Sequence, residues 1–146
     1  MSAERVLGMG VDLVENVRMR HMLARWGNRF KDKVFRPLEQ KYADSKAFPA
    51  WHYAGRFAVK EAVSKAFGTG VGPEIGLLDV EVVRDPSSGA PSVRLVGKAR
   101  EFARLRGVTR ILVSLAHTRN YAVAQALVLG RCSLARGRRG AGRRRS

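Results

Sequence analysis

The alternation of apolar and polar positions begins almost at once. In Val6–Val14 (VLGMGVDLV) the period is two, with Leu7, Met9, Val11 and Leu13 on one face and Gly8, Gly10 and Asp12 on the other. That pattern predicts a strand. From Glu15 a helix is predicted to about Trp26, stopping at Gly27-Asn28. Pro37 suits the first turn of a short helix, and after the interruption at Pro49 a longer one runs from Trp51 to Phe67. Gly68, Gly70, Gly72 and Pro73 forbid its continuation. Leu77–Arg84 and Ser92–Val96 read as a hairpin turned at Asp85–Gly89, Lys98–Arg106 as a short amphipathic helix. Ile111–Ala116 and Tyr121–Leu129 form a second hairpin around His117-Thr118-Arg119-Asn120. Hairpin-joined strands with helices between them predict an α+β fold, an antiparallel sheet with packed helices.

Length and charge refine this picture. A chain of 146 residues fits one domain with a real core, and the formal charge of +16 sets it apart. Seven of those charges are arginines in Arg131–Ser146 (RCSLARGRRGAGRRRS), a stretch without acids and poor in apolar residues. The expected organisation is therefore a domain over 1–130 and a disordered Arg-rich tail over 131–146. Nine positive charges remain on the domain, which points to acidic partners: nucleic acid, a phosphorylated small molecule or an acidic protein surface. The single cysteine, Cys132, rules out an internal disulfide and suits a reducing compartment. No leader pattern and no membrane-length apolar run is found, so a cytoplasmic protein with no membrane partner is expected.

Candidate chemistry gathers in RFAVKEAVSKAFGTG, residues 56–70. At 100° per residue, Ala58, Val59, Ala62, Val63 and Ala66 make an apolar arc. Arg56, Lys60 and Ser64 form one ridge opposite it, and Glu61 with Lys65 form another. An i, i+4 pair such as Glu61–Lys65 is ordinarily a surface contact worth a few tenths of a kcal/mol. Phe57, in the middle of the polar arc, suggests that this face is covered by another chain or a ligand. Asp12 lies on a strand face cleared by two glycines, where backbone or ligand can approach closely. If Asp12 and Glu61 converge, two carboxylates plus water make an oxygen site for Mg²⁺. On the first helix Arg18, Met22 and Arg25 fall within about 60° of one another, joined by Arg29 if the helix passes Gly27. Such a stripe fits an acidic amphipathic helix as well as it fits solvent. No catalytic triad, HExxH or cysteine cluster is present, and Gly68-Thr69-Gly70 follows a helix, unlike a nucleotide-binding loop.

Three segments together resemble the holo-[acyl-carrier-protein] synthase family of 4′-phosphopantetheinyl transferases. They are GMGVDLVE (8–15), GRFAVKEAVSKAFGTG (55–70), and VSLAHT (113–118) with YAVAQ (121–125). The resemblance implies that fold, and transfer of phosphopantetheine from coenzyme A to a serine of apo acyl carrier protein, for fatty-acid or polyketide synthesis. It implies Mg²⁺ on Asp12 and Glu61, catalysis by Glu61 and Lys65, and a coenzyme A site of Arg56, Lys60, Ser64, Lys65, Gly68, His117 and Thr118. It also implies a homotrimer with sites between subunits, and carrier-protein docking on Arg18, Arg25 and Arg29. Three features depart from the family: Arg36 replaces a threonine in the Phe-Thr-x-x-Glu pattern, Ala116 replaces a hydroxyl residue before His117, and the tail has no counterpart. A nucleic-acid-binding protein explains the charge alone, and no interleaved basic–aromatic strand supports it. Weak nonspecific nucleic-acid contact by the tail is compatible with either reading. An inert assembly module on the same fold has no need of the two carboxylates.

Overall fold

The structure, a computed structural model, describes residues 3–131. The tail call therefore lies, from residue 132 on, outside the described residues. Five strands and five helices follow one another as β1 (Arg5–Glu15), α1 (Asn16–Trp26), α2 (Asn28–Val34), α3 (Pro37–Asp44), α4 (Pro49–Ala66), β2 (Val80–Arg84), β3 (Pro91–Leu95), α5 (Gly97–Leu105), β4 (Val108–His117) and β5 (Tyr121–Gly130). The strands form two antiparallel sheets, one in the order β1-β5-β4 and one of β2 with β3. The register of the larger sheet aligns Asp12 with Ala124 and, across it, Leu115.

Helix α4 lies across the larger sheet and is buried on nearly every side. The sheet face it packs on is the reverse of what apolar content alone suggests. Gly8 and Gly10 face the helix, and a Cβ on either would sit 1.9 Å from Ala66 O or 2.1 Å from Ala62 O. The face cleared by glycine thus admits backbone, that of α4. Leu7, Met9, Val11 and Leu13 are left 39–64% exposed on the opposite face, beside Leu112 and Val123.

Local chemistry accounts for most boundaries. Pro49 begins α4 rather than interrupting the chain before it, because proline's fixed φ suits the first turn. Arg36 N–H donates to Glu39 Oε1 at 2.8 Å, which caps α3. Asn16 starts α1 and donates through Nδ2 to Thr118 O and Arg119 O, both at 3.0 Å, tying that helix to the β4–β5 turn. Helix α2 has no counterpart in the sequence reading. NRFKDKV carries only two apolar residues, and it is held by burial of Val34 and by Phe30 packing edge-on to Phe35 at 6.0 Å. Among the described residues no helix is long and apolar enough to cross a membrane.

Candidate functional site

Asp12 projects from the glycine face of β1, and Glu61 and Lys65 from successive turns of α4. Because Gly8 and Gly10 bring that helix close, residues 49 and 53 positions away in the chain meet Asp12. Lys65 Nζ donates to Asp12 Oδ1 at 2.8 Å and to Val11 O at 3.2 Å. The expected Glu61–Lys65 pair does not form; the ammonium goes to the strand. Asp12 and Glu61 line one cavity of about 390 Å³ together with Glu15, Arg18, Met19 and Phe57. Burial, and then the neighbouring Asp12, push the Glu61 carboxyl above its usual range, with Lys65 opposing. The Asp12 carboxylate acts first among the causes that raise the Lys65 ammonium above its ordinary value.

Two close carboxylates in a half-buried, polar-mouthed cavity form a hard oxygen set suited to Mg²⁺. The raised Glu61 carboxyl reflects their mutual repulsion, which a divalent cation relieves. Among the described residues no group of three or more His, Cys, Asp or Glu side chains is arranged as a metal site. An ion here would have two protein ligands, with water or substrate oxygens completing it.

Phe57 is half-buried against this chain's own core and shares the cavity with Met19, Met22 and Phe30 of α1 and α2. Much of its cover is thus internal. Lys60 and Ser64 also depart from expectation. Lys60 is fully buried and donates its three protons to Glu39 Oε1 (2.7 Å), Leu77 O (2.9 Å) and Val80 O (2.6 Å), leaving none for a phosphate. Burial draws its pKa down while Glu39 holds it up. Ser64 is equally buried, and its hydroxyl donates to Glu61 O at 2.7 Å. The polar ridge is covered because α3 and β2 pack on that side of α4.

Arg56, first on the same ridge, lies in a different cleft of about 220 Å³ with Tyr42, His52, Arg84 and His117. It is 5% exposed, and its guanidinium carbon lies 3.9 Å from the centre of the Tyr42 ring. Thr118 closes the neighbouring turn, its N–H donating to Tyr121 O at 2.8 Å. Gly68 has φ +79 and ends α4 with its N–H on Lys65 O. Arg18, Arg25 and Arg29 are exposed; Arg18 edges the carboxylate cavity, Arg25 lies over Trp26, and Arg29 borders a groove with Met22 and Phe30. The sequence reading passed over His52 and Tyr42. His52 was within reach of it, standing four residues before Arg56 on the same ridge.

Comparison with known proteins adds an independent line. Residues 8–126 match the family described as the 4′-phosphopantetheinyl transferase superfamily. The holo-[acyl-carrier-protein] synthase of Syntrophus aciditrophicus is 46% identical over 125 residues, covering 86% of this chain and 97% of the relative. That of Ruminiclostridium cellulolyticum is 46% identical over 121 residues, 82% of this chain and 90% of the relative. Among solved structures, the Helicobacter pylori holo-[acyl-carrier-protein] synthase in complex with coenzyme A superposes with a TM-score of 0.73 at 28% identity, covering 82% of this chain and 98% of that one. The Bacillus anthracis synthase in complex with CoA (3′,5′-ADP) gives 0.70 at 30% identity, over 88% and 99%.

Proposed function

The chain belongs to the 4′-phosphopantetheinyl transferase superfamily, and we propose from this that it is an enzyme of the holo-[acyl-carrier-protein] synthase kind. It transfers 4′-phosphopantetheine from coenzyme A to a serine hydroxyl of apo acyl carrier protein, releasing adenosine 3′,5′-bisphosphate. The observation that carries this reading is the meeting of Asp12, Glu61 and Lys65 in one cavity.

Asp12 and Glu61 would hold Mg²⁺, which when bound neutralises the diphosphate and stabilises charge developing on it. Lys65, half-exposed and tied only to strand β1, is positioned to leave Asp12 and neutralise the departing phosphate. Glu61, whose environment raises its proton affinity, is the side chain placed to take the serine proton. The exposed cations Arg18, Arg25 and Arg29 offer the acidic carrier protein a docking face beside the cavity mouth.

A homotrimer is part of the same reading. The carboxylate cavity and the Arg56–His117 cleft share no lining residue and open on opposite sides of α4. One coenzyme A touching both would draw them from two copies of the chain. The uncovered apolar face of the β1-β5-β4 sheet supplies a surface for that assembly. This reading places the chain in the cytoplasm with its coenzyme A substrate, in the modification of carrier proteins for lipid synthesis. Incubation with coenzyme A, Mg²⁺ and apo acyl carrier protein, followed by mass spectrometry, should show a phosphopantetheine adduct on one serine. No adduct on fatty-acid or polyketide carriers would remove the reading.

A further inference from the structure

The cleft around Arg56 holds an unmet electrostatic demand. Arg56 Nε is buried without a hydrogen-bond acceptor, although its residue is 5% exposed. Burying a guanidinium without a paired carboxylate is costly, and among the described residues Arg56 has no salt bridge. The nearest acid, Glu39, is committed to Lys60. No carboxylate lines the cleft, whereas Arg84 and two imidazoles do. The His52 and His117 rings lie 5.9 Å apart, and Tyr42 sits 5.5 Å from His52. Arg84 is held in place by donating Nε to Gly89 O at 3.1 Å across the β2–β3 turn. The backbone is cut to fit as well: a Cβ on Gly55 would fall 2.5 Å from His117 Cε1, so glycine lets that ring lie against α4.

Size limits the occupant. A volume of about 220 Å³ is several times the ~30 Å³ share of a water molecule. It is below the ~300 Å³ at which pockets for whole small molecules begin. A compact tetrahedral anion fits, with the rest of a larger ligand outside. We propose that this cleft is a phosphate-monoester pocket, completed by His52 and Arg84, that reads the ribose phosphate of coenzyme A rather than its diphosphate. Both imidazoles are held below the ordinary histidine range, by burial first and then by neighbouring cations, and a dianion between them reverses that pressure.

The inference rests on the transferase reading, and the test separates the two. Calorimetry on the full chain with Mg²⁺ compares coenzyme A with dephospho-coenzyme A, which keeps the diphosphate and lacks only the ribose phosphate. Wild type should prefer coenzyme A by about 10-fold or more, the scale of a charged hydrogen bond. His52→Phe and Arg84→Gln should each bring that ratio severalfold nearer to one, with His52→Gln as a milder variant of unchanged circular dichroism. Adenosine 3′,5′-bisphosphate should bind more tightly than inorganic phosphate; the reverse order would assign the cleft to free phosphate and overturn the proposal. Equal affinity of wild type for both coenzymes, or variants that weaken both alike, would also overturn it while leaving transfer intact. Absence of any transfer from coenzyme A would instead remove the reading beneath it.

Discussion

Lys65 Nζ lies 2.8 Å from Asp12 Oδ1, 53 residues away in the chain, and not on Glu61 one turn before it. A helix ridge that reads as an internal salt bridge is in fact a link between helix and strand. The link places one cation and two carboxylates around a single cavity.

From this pairing follows the first prediction. Lys65→Met should lower the transfer rate by roughly 10²-fold, the scale of losing one electrostatic stabiliser of the transition state, and Lys65→Arg should recover part of it. The thermal midpoint should barely move, since half-exposed pairs contribute at most about 1 kcal/mol. A steady-state transfer assay beside a melting curve decides it; full activity in Lys65→Met would be fatal to the assignment.

Glu61 makes an opposite trade. Its folded-state carboxyl is raised, so its ionised form destabilises the metal-free fold, and that stability is lost as pH rises through the folded pKa. Glu61→Gln should therefore melt higher than wild type at neutral pH without metal, and this advantage should vanish under acid conditions. Transfer activity should disappear in the same variant. Melting curves between pH 4 and pH 8 test the sign.

For Lys60 the expected loss is of stability. Removing one partner from a buried pair costs about 3–5 kcal/mol, so Lys60→Met should lose stability on that scale in urea. Glu39→Leu combined with Lys60→Met should regain part of it. Should Lys60→Met stay fully stable yet bind coenzyme A poorly, the phosphate role expected from sequence would return.

Gly10 tests the approach of strand and helix. Gly10→Ala places a methyl 2.1 Å from Ala62 O, and overpacking of this kind costs about 1–3 kcal/mol. It should also displace Asp12 and reduce transfer. Gly72→Ala, with nothing within 4 Å of the added Cβ, is the matched control and should do neither.

Assembly is tested on the sheet. Val11 is 58% exposed and far from the mouth of either cleft on the α4 side. Val11→Glu should convert the sedimenting species from trimer to monomer and lower transfer along with it. A monomeric variant with undiminished transfer would mean that one chain completes the site.

Most of the fold was legible because its signals are local. Period-two alternation marked β1, glycines and prolines marked the ends of α4, and turn residues marked both hairpins. Helix α2 was not legible, since its two apolar residues carry little periodicity and only packing against Phe35 and the core holds it. The faces of α4 misled for a related reason. A helical wheel separates polar from apolar, and it cannot register α3 and β2 packing over a polar ridge. Lys60 and Ser64 therefore read as site residues although their bonds are spent inside the chain.

By itself the sequence determined the order of elements, the α+β class, the glycine-cleared strand and the residues able to carry charge chemistry. Those properties depend on neighbours within a few positions. Only the tertiary structure decided which face of β1 meets the helix, that Lys65 pairs with Asp12, and that Arg56 and Glu61 serve different clefts. These are outcomes of packing: where backbone meets backbone through Gly8 and Gly10, the helix has one place to lie, and its charges fall where that place puts them.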